Sequence, residues 1–191
     1  MKSNNNESAV KERLILCGLS ELEERGAQEF SLRRVAAAAE VSCAAPYRHF
    51  KDKDELILAI VEYVKDGWFL LASQIRDVHS ENPAECVAEL CSAMLRFFIG
   101  NGSFRTVFIQ ILTDKKGTNK VALAEFELPI RKAIDEYYDN RGQSSNDAKD
   151  DSVYTILSML YGALLIAGYG RIEQSEQLCR LKESVLSTLA D

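Results

Sequence analysis

The chain has 191 residues, 47% of them hydrophobic and 27% charged, a globular balance that excludes a disordered or fibrous protein. Its 23 Lys and Arg against 29 Asp and Glu leave a net charge of −6, and a pI near 5.1 argues, on the whole-chain average, against nucleic acid as a partner. Five scattered cysteines without a C-x-x-C pair read as free thiols, and the two distant histidines, His49 and His79, lack partners at ligand spacing, so neither a metal nor another cofactor is expected.

The polar stretch at residues 1–8 lacks the apolar segment of a secretory signal and reads as a disordered tail on a cytoplasmic protein. Everything after it reads as helix, because prolines number three and no period-two alternation is sustained. Apolar residues at 10, 14, 15, 19 and 22 predict a first helix to Arg25, stopped by Gly26. Ser31 is placed to cap a short helix through Ala39, and Ser42 a still shorter one to Phe50. Asp52 and Glu55 have capping-box spacing, with a carboxylate in place of the hydroxyl, at the head of a long amphipathic helix running to about Val78.

Further helices are expected at Pro83–Ile99, Phe104–Thr113, Asn119–Tyr138, Asp147–Tyr169 and Ser175–Ala190, with a kink or break at Pro129. Ser152 to Gly170 is 19 residues without a charge, close to the ~20 of a membrane span. Its two serines, one threonine, three tyrosines and three glycines favour instead a helix buried in the core or in a subunit interface, with no membrane association.

Two short helices joined by a tight turn, the second carrying basic and aromatic residues, have the form of a helix-turn-helix. From Phe30 to Lys53 the chain holds five basic residues (Arg33, Arg34, Arg48, Lys51, Lys53) and two acidic ones (Glu40, Asp52), a local charge of +3 that leaves −9 for the rest. A basic patch on an acidic protein attracts phosphates without general adhesion to polyanions.

Ser31-Leu-Arg-x-Val-Ala, then Val41-Ser42, then Ala45-Pro-Tyr-Arg-His-Phe-Lys-Asp-Lys53 closely resemble the DNA-binding domain of TetR-family transcriptional regulators, over about residues 9 to 60. The resemblance implies an all-α protein: a three-helix helix-turn-helix domain at 9–54, then a helical effector-binding and dimerisation domain at 55–191. It implies a homodimer that pairs through residues 152–190, binds a palindromic double-stranded operator and is released from it, as a repressor, by a small-molecule effector.

On that reading the stretch from Ser42 to His49 enters the major groove. Tyr47 and His49 contact the DNA backbone and Lys53 a phosphate, while Ser31 and Arg33 face the flanking backbone or base edges. Cys43, Ala45, Pro46 and Arg48 fall where relatives with different operators differ, which makes them the specificity candidates. Where a glycine is usual in the turn, this chain has Glu40; keeping the left-handed conformation there costs on the order of 1 kcal/mol.

Trp68, Phe98, Phe108, Phe126 and Tyr161 are candidates for lining an effector pocket, with ordinary core packing as the alternative for each. No charged residue stands out within a strongly apolar helix face, so no charged effector is implied. Enzymatic activity is not expected, since no nucleophile, base and orienting group recur in a known constellation and no phosphate loop is present. A helical binding protein or enzyme with a vestigial DNA-binding motif is the alternative reading.

Overall fold

The computed structural model describes residues 2–100, 102, 105, 108, 120–142, 146–167 and 172–190, and every regular element among them is a helix. They are α1 (Lys2–Arg25), α2 (Leu32–Ala38), α3 (Pro46–His49), α4 (Lys53–Val78), α5 (Pro83–Gly100), α6 (Lys120–Asn140), α7 (Asn146–Ala167) and α8 (Gln174–Ala190). The expected helix at 104–113 lies outside the described residues except for Arg105 and Phe108, both helical. The chain forms two compact units, one of residues 1–66 and 102–122, the other of 67–101 and 123–191. The domain boundary expected at 54/55 thus falls inside the first turns of α4.

In the first unit α1 packs on α2 and α3. Its helix starts at Lys2, through the stretch read from sequence as a tail, because no proline or glycine interrupts residues 2–10. Gly26, with φ +70°, stops it as expected. Leu14, Leu22, Val35, Ala36, Ala39, Phe50, Leu56 and Ile60 make the core. Gly18 sits close to α4: a Cβ at that position would lie 2.9 Å from Ile60 Cδ1, so a side chain there would displace the tip of Ile60. Asp52 caps α4 by accepting the Glu55 N–H (3.0 Å), and the Glu55 carboxylate reaches back to the Lys51 N–H (2.5 Å).

In the second unit α5 is buried along almost its whole length, from Cys86 to Leu95, between α7 and α8, which also pack on each other. Asn82 caps α5 through its side chain, accepting the Glu85 N–H at 3.2 Å. α6 is continuous through Pro129, where a kink or break was expected. It is fastened to its neighbours by side chains: Tyr138 hydrogen-bonds Ser152 of α7 at 2.7 Å, and the Tyr137 hydroxyl donates to the Leu189 carbonyl of α8.

α7 has two apolar faces. Val153, Ile156, Leu157, Leu160 and Leu164 are buried, whereas Tyr154, Leu165 and Ile166 on the other side are exposed. Among the described residues it is the one helix long and apolar enough to cross a membrane, with a mean hydropathy of 1.2, yet only 28% of that window is buried within the chain.

Candidate nucleic-acid interface and an inner polar cluster

The turn between α2 and α3 is set by backbone hydrogen bonds. Glu40 N–H donates to the Ala37 carbonyl (3.1 Å) and Val41 N–H to the Ala36 carbonyl (3.0 Å), the double closure of a Schellman motif. Such a closure demands a left-handed residue, and Glu40 adopts φ +54°, the only non-glycine to do so among the described residues. The cost anticipated for a side chain at this turn is therefore present.

Two capping expectations need correction. Ser31 occupies the N-cap of α2 in an extended conformation, but its hydroxyl makes no cap bond. Ser42 does not open α3. Residues 42–45 form a turn closed by Ala45 N–H to the Ser42 carbonyl (2.9 Å), and the α-helix spans only Pro46–His49 with Ala45 at its N-cap. Pro46 has no N–H to return to the Ser42 carbonyl, so helical pairing begins after it.

The candidate DNA-binding residues then separate by exposure. Arg33, Ser42, Cys43, Tyr47 and Arg48 are exposed, Tyr47 at 63% of its surface. Ser31, Ala45, His49 and Lys53 are half-buried. His49 lies beside Phe50, ring centroids 6.3 Å apart, and the Lys53 ammonium donates to the Ala27 carbonyl at 3.3 Å, which holds its position at the head of α4 and leaves it two further donors. Pro46 is buried at the first position of α3. Arg34, one of the five cations in the basic count, is exposed but paired by Nε with Glu21 Oε1 (2.7 Å) and by a second nitrogen with the Glu29 carbonyl.

The aromatic candidates are distributed differently. Phe108 is buried in the first unit. In the second unit Trp68, Phe97, Phe98 and Phe126 form a chain of ring contacts with centroids 6.1–6.3 Å apart. Trp68 is fully buried, and its indole N–H donates to the Phe126 carbonyl of α6 at 3.0 Å. Tyr161 is directed elsewhere: its hydroxyl donates to Glu127 Oε1.

Glu127 was not singled out by sequence, and the expectation that no charge sits in an apolar helix face is corrected by it. It is 7% exposed, and its second oxygen accepts both Arg131 Nε (2.8 Å) and Arg131 Nη2 (2.6 Å). The available signal was its place between Phe126 and Leu128 with an arginine four residues on. Burial first, and then the bond to Glu127, push the Tyr161 phenol well above its ordinary value and keep it a neutral donor.

Among the cysteines, Cys91 is pushed up to about 12 by burial and is an inert thiol. Cys86, raised by burial against the opposing pull of Arg76, lines a cleft of about 350 Å³ bounded by Arg76, His79, Pro83 and Glu136. Among the described residues no group of three or more His, Cys, Asp or Glu is placed to hold a metal ion.

Residues 17–60 match the family model of bacterial regulatory proteins of the tetR family. Solved structures extend the likeness to the whole fold. A putative TetR-family transcriptional regulator from Mesorhizobium loti superposes with TM-score 0.78 at 16% identity, covering 96% of each chain. One from Syntrophomonas wolfei gives 0.76 at 17% identity, again over 96% of each. RolR in complex with the ligand resorcinol gives 0.65 at 16% identity, over 98% of this chain and 96% of that one. No curated protein matches.

Proposed function

We propose that this chain, which belongs to the tetR family of bacterial regulatory proteins through its domain at residues 17–60, is a dimeric repressor that leaves a palindromic operator when a small molecule binds its second unit. The single observation that carries the DNA-binding reading is the surface around α3. Arg33, Ser42, Cys43, Tyr47 and Arg48 stand exposed around a turn that is kept in a glycine-type conformation by Glu40, and Lys53 is fixed at the start of the next helix. An exposed tyrosine and arginine on so short a helix do nothing for the fold of the unit and have the chemistry for phosphates and base edges.

Dimerisation is supported by α7. Tyr154 at 76%, Leu165 at 52% and Ile166 at 44% exposed make an apolar face that the chain does not cover itself, and a second copy of α7 and α8 would cover it. With dimerisation, two α3 helices would have to meet successive major grooves ~34–36 Å apart. An effector that favours a subunit arrangement with another spacing lowers operator affinity by its differential affinity for the two arrangements. α4, continuous from Lys53 to Val78, is the covalent element available to transmit that preference. That a structure of the same fold holds resorcinol supports a small organic effector here. The protein acts in the cytoplasm, where its operator is.

Selection of bound duplexes from a random library tests this reading in one step. Enrichment of one palindrome with half-sites about one helical turn apart is the expected result. An unenriched pool, or an enriched sequence without two-fold symmetry, overturns it.

A further inference from the structure

Resting on the effector reading above and making it chemically specific, we propose that Glu127 is the anchor for an organic cation, a ligand with an amidinium, guanidinium or ammonium head on an apolar body, and that Arg131 occupies that anchor when no ligand is bound.

A buried ion pair is a weak source of stability, because apolar side chains of the same shape do as well or better once desolvation is counted. The cluster is also asymmetric. The Glu127 side chain is 9% exposed and the Arg131 side chain 44%, so the carboxylate is fixed inside while its cation is half in solvent. Both Arg131 bonds fall on one carboxylate oxygen, Oε2, and the other, Oε1, is held by Tyr161 from α7. The anion therefore stays oriented by Tyr161 if Arg131 leaves. Arg131 sits one helical turn from Glu127 on a long flexible stem, and rotation of that stem delivers the guanidinium to water.

A ligand cation entering in its place restores the same charge-assisted bonds and leaves no charge unpaired, whereas a neutral or anionic ligand at this carboxylate leaves one. The apolar body has its counterpart in the Tyr161 ring, whose hydroxyl lies on the same carboxylate and which is only partly buried. The hydroxyl of Tyr161, kept neutral, donates its one proton to Glu127 and so adds no positive charge beside the ligand's head.

Benzamidine, benzyltrimethylammonium and the neutral benzamide are suitable probes, titrated calorimetrically into the full-length protein at mildly alkaline pH. The two cations are expected to bind and benzamide is not. Glu127→Gln should weaken cation binding by about tenfold or more, and Arg131→Gln, which removes the internal competitor, should tighten it by about tenfold. A merely structural pair predicts no gain in Arg131→Gln. Absence of cation binding in both the wild type and Arg131→Gln, or equal binding of benzamide, overturns the proposal. If Glu127→Gln does not fold, as judged by circular dichroism, the Arg131→Gln comparison decides alone.

The same preparations are assayed on the selected palindrome. Duplex binding without cation binding removes this inference and leaves the regulator reading intact. Cation binding without duplex binding does the reverse.

Discussion

The surface around α3 and the cluster around Trp68 are both built on aromatic side chains, and they differ in what their polar atoms have found. Trp68 is fully buried with its N–H on the Phe126 carbonyl, while Tyr47 is 63% exposed on a four-residue helix. An aromatic whose area and polar tip are both used inside the chain is architecture; one whose area is left in water has its energy to spend on a partner. By the same criterion the basic residues divide: Arg33, Arg34 and Arg48 are all exposed, but Arg34 is paired with the Glu21 carboxylate and the Glu29 carbonyl.

The largest effect that tests this contrast is Trp68→Ala. It removes a fully buried ring and the donor on Phe126, and the expected loss is about 3–5 kcal/mol of unfolding free energy, measured by urea denaturation. Tyr47→Ala should change stability by less than about 0.5 kcal/mol while weakening duplex binding. If Tyr47→Ala destabilises as much as Trp68→Ala does, exposure is a false guide to which aromatics face a partner.

The second effect concerns the uncovered face of α7. Leu165→Glu places a charge where a second copy would pack, and the folded monomer already exposes the position. Sedimentation should show a monomer with unchanged circular dichroism, and affinity for a two-half-site duplex should fall by about a hundredfold or more, because the two half-sites no longer share one binding event. A dimer that persists in Leu165→Glu removes α7 from the interface.

The helices were legible because they depend on local signals. Gly26 as a stop and Asp52 with Glu55 as a cap were readable from a few neighbouring residues, and the left-handed cost at Glu40 followed from the family resemblance. What was not legible depends on what a side chain meets at long range. Ser31 has the residue type of a cap but makes no cap bond, and Pro46 has the position of a contact residue but is buried. Arg34 finds Glu21, thirteen residues away, and so leaves the apparent +3 of the reading head. Glu127 is polar in the sequence and becomes informative only through burial and through Tyr161, 34 residues on.

Third in size is the pair Lys53→Ala and Arg48→Ala, which divides positioning from reading within the exposed region. Lys53→Ala should weaken binding to all duplexes alike and reduce the salt slope by about 1. It also removes the bond to the Ala27 carbonyl, an exchange worth about 1 kcal/mol of stability at most. Arg48→Ala should relax preference at one base position by about 1–3 kcal/mol with little change in stability. A uniform loss over all sequences in Arg48→Ala would make it a second phosphate contact.

The smallest expected effect acts on the turn that joins the two helices. Glu40 holds φ +54° because Val41 and Glu40 must both donate backward, to the Ala36 and Ala37 carbonyls, to end α2. An L side chain in that conformation crowds its own carbonyl, and glycine does not. Glu40→Gly should therefore raise unfolding free energy by about 1 kcal/mol, less the extra backbone entropy that glycine gives the unfolded chain. It also removes a negative charge from the exposed turn that joins α2 to α3, so duplex affinity should rise modestly, and more at low salt than at high salt. A gain in stability with no change in affinity would place Glu40 away from the phosphates. A loss of stability would mean that the Glu40 side chain compensates its backbone strain by a contact in solution.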